Sequence, residues 1–319
     1  MKDQASQLQE SGIKCWLSCD DCLPVKDLTH ADVSKVYVTP EALKQTQWRR
    51  LLCYPMFQTR LCFFAVDEAH CVSDWGYEFR PEFRDLSEIQ SVVDVPLLAI
   101  TATGTERVRE DIVKYLQISD NAFSIAIVPD RPNITLVVKS TGSERYEEEL
   151  QWLLDYARVH IDNESMAKTI IFCRSYRMVY GVWSWLLDAI GLKVYAEEKH
   201  TVKGRRVEMF TASTTEKDKN RILDNFKNGR TRIIVSTVAF GMGVNIPNVS
   251  LVVHWGAPKS FLTYWQEVGR AGREEKQALA VLIPYKRSCL KSMCVDDFTI
   301  INNYCICQEQ DTHSFAYKG

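Results

Sequence analysis

The apolar run Leu61-Cys-Phe-Phe-Ala-Val66 leads directly into Asp67-Glu-Ala-His70, and Cys71-Val-Ser-Asp-Trp-Gly-Tyr-Glu-Phe-Arg80 follows. A short apolar run closed by adjacent acids reads as a buried strand whose end carries chemistry. Paired carboxylates there suit Mg²⁺ and an attacking water in nucleoside-triphosphate hydrolysis. Asp67 is expected to hold the metal and Glu68 to orient the water or accept its proton. The bare tetrapeptide also fits a helix N-terminus whose acids oppose the dipole, so the neighbouring sequence decides between the two.

Outward from this run, apolar segments alternate with helix-length amphipathic ones, the rhythm of a parallel α/β protein. Strands are expected at 14–18, 35–38, 61–66 and 96–101, with helices at 40–52 and 105–116. Pro129-Asp-Arg-Pro-Asn133 breaks the pattern, because two prolines this close favour an extended connector. Beyond it, strands are expected at 134–139, 169–173, 232–236, 250–254 and 278–283, and helices at 144–160, 176–190, 216–226 and 261–268. These boundaries imply domains at 1–132 and 133–285 and a divergent tail at 286–319.

The 319 residues are 46% hydrophobic and 25% charged, which suits a globular protein with room for two cores. A net charge of -2 provides no global attraction to nucleic acid, so binding must use local patches. One stretch, Lys203 to Arg232, carries nine basic residues against four acidic ones. It can guide a strand electrostatically, and it also reads as a solvated helix face. The start is polar and no run is long enough to span a membrane, so an intracellular location is expected, nuclear in a eukaryote and cytoplasmic in a bacterium. Eleven scattered cysteines read as reduced thiols.

Two further constellations join the acidic box. Thr101-Ala-Thr103 ends the next expected strand, where hydroxyls can link a nucleotide site to a bound strand. Gln266-Glu-Val-Gly-Arg-Ala-Gly-Arg273 places Arg270 and Arg273 three apart with small residues between, so both guanidinium groups can approach a triphosphate. Trp75, Phe79, Arg80 and Phe83 offer aromatic faces and a cation to unpaired bases. Thr39, Thr101 and Thr237 carry hydroxyls at strand ends, suited to holding a nucleic-acid backbone or to ordinary capping.

In order and spacing these motifs resemble the RecQ family of DNA helicases within superfamily two. The likeness takes in Met1-Lys-Asp-Gln4, Tyr37-Val-Thr-Pro-Glu41, Asp67 to Phe83, Ala99 to Thr103, Asp130-Arg-Pro-Asn133, Thr169 to Arg174, Val235 to Gly243 and Gln266 to Arg273. It implies two RecA-like parallel-sheet domains in tandem, the first incomplete, in an ATP-dependent 3′ to 5′ DNA helicase acting on single-stranded and duplex DNA. The implied roles are Mg²⁺ coordination by Asp67, water activation by Glu68 and coupling by His70. Arg270 and Arg273 would face the triphosphate, with Arg273 as the finger; Gln266, Gly243 and Asn245 would stand beside the nucleotide. Trp75, Phe79, Arg80 and Phe83 would sense single-stranded DNA, and Thr39, Thr101, Thr103 and Thr237 would contact its backbone.

The sequence also departs from that family. No Gly is followed by Lys, so the phosphate loop that ends in Gly-Lys-Ser/Thr is absent. This polypeptide alone is therefore expected neither to bind ATP tightly nor to hydrolyse it, and the first sheet is expected to lack a central strand and to expose apolar faces. Tyr77 stands at a common His position and Asn245 at a common Asp position. Cys289, Cys294, Cys305 and Cys307 lack paired Cys-x-x-Cys spacing, so zinc is not expected. Two readings from other classes compete: a cluster-binding radical enzyme suggested by Cys15, Cys19 and Cys22, and a non-enzymatic nucleic-acid-binding or adaptor protein derived from a helicase.

Overall fold

In the computed structural model the chain divides into two units, Met1–Pro129 and Asp130–Gly319. The described residues are 2–18, 25–73, 81–102, 104, 106–119, 121–127, 131–196, 201–241 and 246–289.

The first unit begins with α1 (Lys2–Glu10), β1 (Cys15–Leu17) and β2 (Lys35–Tyr37), followed by α2 (Pro40–Leu43), α3 (Thr46–Leu52) and α4 (Pro55–Gln58). Strand β3 (Phe64–Val66), α5 (Ser87–Gln90), β4 (Leu97–Ala99) and α6 (Glu106–Tyr115) complete it. Strands β1 and β2 pair in parallel, as do β3 and β4, in two separate two-stranded sheets. Trp16 and Trp48 meet edge to face, 5.3 Å between centroids, and with Leu51 and Leu52 they fill the interior beside β1.

Two expectations fail here. The helix expected over 40–52 is two helices, because Gln45 is extended (ψ 142°) and restarts the chain at Thr46. The break leaves Lys44 free to pair with Asp85 at 2.6 Å. The strand before the acidic box is shorter and barer than a buried strand: only Val66 is buried, while Phe63 is 54% exposed.

The second unit holds β5 (Ile134–Val138), α7 (Tyr146–Glu149), α8 (Gln151–His160), β6 (Lys168–Cys173), α9 (Tyr176–Ile190), β7 (Val207–Phe210), α10 (Glu216–Lys227) and β8 (Ile233–Ser236). It continues with β9 (Val249–Trp255), α11 (Phe261–Val268), β10 (Ala278–Ile283) and α12 (Lys286–Cys289). Six parallel strands run in the order β5-β10-β9-β6-β8-β7. Every residue of β6 is buried, as a central parallel strand covered on both faces requires. One face packs Leu153, Val179, Val182 and Leu186 from α8 and α9, and the other packs Ile222, Phe226, Tyr264 and Val268 from α10 and α11. Serine and threonine caps start the long helices: Ser175, Thr215 and Ser260 each accept from the backbone N–H three residues on.

The sequence reading misses β7, which lies inside the basic stretch. The stretch is also less of a patch than its composition suggests: Arg206 pairs with Asp162, Arg221 with Glu208 at 2.5 Å and Lys219 with Glu216 at 2.7 Å, and Arg232 is buried. The helix expected over 144–160 begins at Tyr146 and is interrupted at the fully buried Leu150. Among the described residues no helix is long and apolar enough to cross a membrane, and the six described cysteines are free thiols.

Candidate functional site

The acidic box is shaped by a change of hand. Glu68 adopts φ 53°, ψ 41°, a left-handed conformation that side chains with a Cβ rarely hold. The chain thus leaves β3 in a tight turn, and Ala69–Val72 follow as a 3₁₀ turn with all four residues buried. The turn is tied to the neighbouring strand: Ala69 N–H donates to Ile100 O at 2.8 Å and Ile100 N–H to Val66 O at 2.9 Å.

Asp67 and Glu68 both remain exposed. Asp67 Oδ1 accepts from the Glu68 N–H at 2.9 Å, and Oδ2 from Gln4 Nε2 at 3.4 Å. An exposed carboxylate with spare lone pairs suits Mg²⁺, which takes one or two protein oxygens and otherwise keeps waters and phosphates. His70 is buried; its Nδ1 lies 3.2 Å from Thr101 Oγ1 and 3.3 Å from Glu68 Oε2. The tautomer with the proton on Nδ1 serves both oxygens. The box and the Thr101 segment are therefore physically joined.

Two nucleic-acid candidates of this unit read differently in three dimensions. Thr39 Oγ1 accepts from Ala42 N–H at 3.2 Å, so this hydroxyl caps α2. Phe83 is 5% exposed, packed in the interior, and cannot offer a face to a base: its assignment to the stacking loop is corrected. Trp75, Phe79, Arg80, Tyr77 and Thr103 lie outside the described residues.

In the second unit, Gln266 projects from α11, and Arg270 and Arg273 follow on the turn that closes it. Gly272 carries this turn at φ 59°; a Cβ there would sit 2.5 Å from Asn133 Nδ2 and 2.9 Å from Lys276 O, so only glycine fits. The segment before β5 clamps the same turn. Asn133 Nδ2 donates to Gly272 O at 2.6 Å and to Lys276 O at 2.8 Å, and Arg131 Nη2 donates to Ala271 O and Gly272 O, each at 2.9 Å. Arg270 and Arg273 line one small cavity together with Ile170, Phe240 and Ile246. Burial, and then the like charge of Arg131, lowers the pKa of Arg273 below its usual value. An anion in that cavity would relieve both effects.

Behind the turn, His254 Nε2 and Glu267 Oε2 are 2.8 Å apart and buried, with His254 stacked on Phe172 at 5.3 Å. Thr237 opens the 3₁₀ turn after β8, accepting from Phe240 N–H at 3.2 Å through its carbonyl. Gly243 and Asn245 lie outside the described residues, as do Cys19, Cys22, Cys294, Cys305 and Cys307. Gln4, Arg131, Asn133 and Glu267 fall in the quoted motifs but had no role assigned from the sequence, and His254 was not singled out. Arg131 and Asn133 were visible as a connector and as part of the family likeness, neither of which points to the turn they clamp, and a lone His in an apolar strand carries no hint of its partner.

Known proteins carry the same pattern. The helicase conserved C-terminal domain matches residues 148–275. The ATP-dependent DNA helicase RecQ of Haemophilus influenzae is 31% identical over 289 residues, 88% of this chain and 42% of the relative. That of Pasteurella multocida is 31% identical over 291 residues, 88% of this chain and 41% of the relative. The chain belongs to the RecQ-like helicases of superfamily two. It spans about two fifths of the length of these RecQ relatives. Its fold is that of RecA-like helicase domains. Dbp5 of S. cerevisiae bound to RNA and ADP BeF3 superposes with a TM-score of 0.61 at 17% identity, over 92% of this chain and 67% of that one. The DUF1998 helicase MrfA bound to DNA and AMPPNP gives 0.65 at 18%, over 96% and 42%.

Proposed function

We propose that this chain supplies the hydrolytic acids and the triphosphate-facing arginines of an ATP-dependent DNA helicase that moves 3′ to 5′ along a single strand. The observation that carries the reading is the clamped Gly269–Arg273 turn, which holds two guanidinium groups against one cavity. In this reading Asp67 is the Mg²⁺ ligand, and the ion supplies charge neutralisation on the phosphates when bound. Glu68 orients the lytic water and takes its proton, and Gln266 stands beside the nucleotide. Arg270 and Arg273 oppose charge developing on the transferred phosphoryl group. His70 passes the state of the box to Thr101, whose segment contacts DNA together with Trp75, Phe79 and Arg80. Thr103 and Thr237 hold the backbone of the strand, and Thr39, whose oxygen caps α2, can still donate its hydroxyl proton to it. Alternating closure and release would step the protein along DNA.

The chain contains no Gly-Lys-Ser/Thr loop, so turnover needs a phosphate loop in addition to these residues. The same fact favours a second reading, a nucleic-acid-binding adaptor without hydrolysis. DNA-stimulated ATP hydrolysis separates them, measured on this chain and on a version extended upstream by a phosphate-loop segment. The motor reading expects turnover from the extended version alone, reduced at least a hundredfold by Glu68→Gln and by Arg273→Ala. Strand binding with no turnover in either version selects the adaptor.

A further inference from the structure

Helix α9 carries an aromatic flank that the site above does not use. Val179, Val182, Leu186 and Ile190 anchor the helix in the core. Tyr176, Tyr180 and Trp183, spaced four and three apart, fall on one adjoining side. Tyr176 is 53% exposed and Tyr180 52% exposed, so neither ring is needed to fill the interior. The Tyr180 and Trp183 rings are 5.9 Å apart. Trp183 is fixed on the edge strand β7, where its Nε1–H donates to Val207 O at 3.3 Å. The Arg205 guanidinium stacks over the Trp183 ring at 5.5 Å.

The flank is also cationic. Among the described residues Arg177, Lys203 and Arg205 have no salt bridge, and Arg205 Nε is buried with no hydrogen-bond partner. Glu208, three residues beyond Arg205, feels the Arg205 charge but is hydrogen-bonded by Arg221 at 2.5 Å. Solvated tyrosine faces in a row, ending on an arginine already stacked on a tryptophan and flanked by unpaired cations, match the alternation of base and phosphate along an unpaired strand. A docked amphipathic helix would instead ask for a continuous hydrophobic groove, and a proline-rich peptide, which also takes aromatic faces, has no use for the cations beside them.

We propose that Tyr176, Tyr180, Trp183 and Arg205, with Arg177 and Lys203 beside them, form a stacking track for single-stranded nucleic acid. The inference takes its partner class from the proposed function but needs neither ATP nor the hydrolytic residues. It therefore stands or falls separately.

The test is fluorescence anisotropy of the full chain, without nucleotide, against a labelled oligodeoxythymidylate about 16 nucleotides long. Tyr180→Ala is expected to weaken binding about tenfold and Tyr180→Phe, which keeps the stacking face, to restore it. Arg205→Ala is expected to reduce the slope of log affinity against log salt by about 0.7. Ultraviolet cross-links should map to Tyr176, Tyr180 or Trp183. Both alanine variants alter partly exposed side chains, and circular dichroism checks their folding. Wild-type affinity in Tyr180→Ala and Arg205→Ala, cross-links confined to other segments, or no oligonucleotide binding by the chain would each overturn the proposal. A loss of hydrolysis in the extended version with this binding intact would count against the motor reading alone.

Discussion

His70 Nδ1 sits 3.2 Å from the Thr101 hydroxyl, and this contact joins the acidic box to the segment after β4. The pair is partly buried, so a hydrogen bond removed there is incompletely replaced by water. Thr101→Val should destabilise the protein by about 1 kcal/mol. Urea unfolding of Thr101→Val, His70→Ala and the double variant should show a coupling energy of about 0.5–1.5 kcal/mol. Strict additivity would mean that the two residues do not communicate.

The clamp on the arginine turn predicts a ranking. Asn133→Ala leaves the carbonyls of Gly272 and Lys276 without their amide donor, which should cost about 1–3 kcal/mol. Gly272→Ala retains those groups but forces a methyl into a left-handed position and within 2.5 Å of Asn133 Nδ2. It should be at least as damaging, since the left-handed conformation alone costs about 1–2 kcal/mol. The combination Gly272→Ala with Asn133→Ala should be less damaging than the sum, because the second change removes the atom that the methyl strikes. Midpoints of urea denaturation check the order.

Much of the second unit was legible in the sequence because its signals are redundant. Strand β10 and helices α9 and α11 have the expected limits, and each combines an apolar period with a cap or a turn. Strand β7 was hidden because an edge strand of four residues, Val207-Glu-Met-Phe210, sits among charges, one of which is a buried Glu208 held by Arg221. Paired acids and paired arginines are visible as residue types. What orients them, Gln4 on Asp67 or Arg131 on Gly272, depends on contacts between residues 63 and 141 positions apart, which no local pattern encodes. Phe83 shows the converse: an aromatic at stacking spacing that the interior claims.

Acid should act on Glu149. Thr141 Oγ1 donates to its Oε1 at 2.5 Å and Lys139 Nζ lies 2.9 Å from its Oε2. The Thr141 hydrogen bond and then that of Lys139 hold its pKa below the ordinary 4.5, against burial. A folded-state pKa below the unfolded one means that the unfolded chain binds the proton more readily. The stabilisation is therefore complete above the ordinary value and disappears as pH falls through the lowered one. Glu149→Gln should lower stability at neutral pH by about 1–2 kcal/mol. It should also flatten the loss of stability between neutral and strongly acidic pH, as followed by thermal unfolding across a pH series.

The first unit displays apolar surface that ordinary solvation does not explain. Phe123, Ile125 and Ile127, at strand spacing, are 89%, 77% and 85% exposed, and Leu98 within β4 and Ile100 just after it are 49% and 45% exposed. Short two-stranded sheets beside such residues are a recognised route to edge pairing. The chain should bind a hydrophobic dye and associate as its concentration rises. Replacing Phe123, Ile125 and Ile127 together by Ser should suppress both, measured by dye fluorescence and light scattering, with little effect on unfolding of the second unit. Unchanged scattering in that variant would place the association elsewhere.

The buried His254 and Glu267 pair holds the last turn of α11 against β9, immediately before the arginines. Removing one partner of a buried pair leaves the other without compensation, a loss of about 3–5 kcal/mol. Glu267→Leu should therefore destabilise strongly. Glu267→Gln, whose Oε1 still accepts from Nε2–H, should be much milder. The same logic makes His254→Leu costly while Glu267 remains, and less costly in the double variant His254→Leu with Glu267→Leu, where no polar group is stranded. If the double variant is as unstable as the sum of the singles, the contact is not a coupled pair and the α11 turn must be held by Arg131 and Asn133 alone.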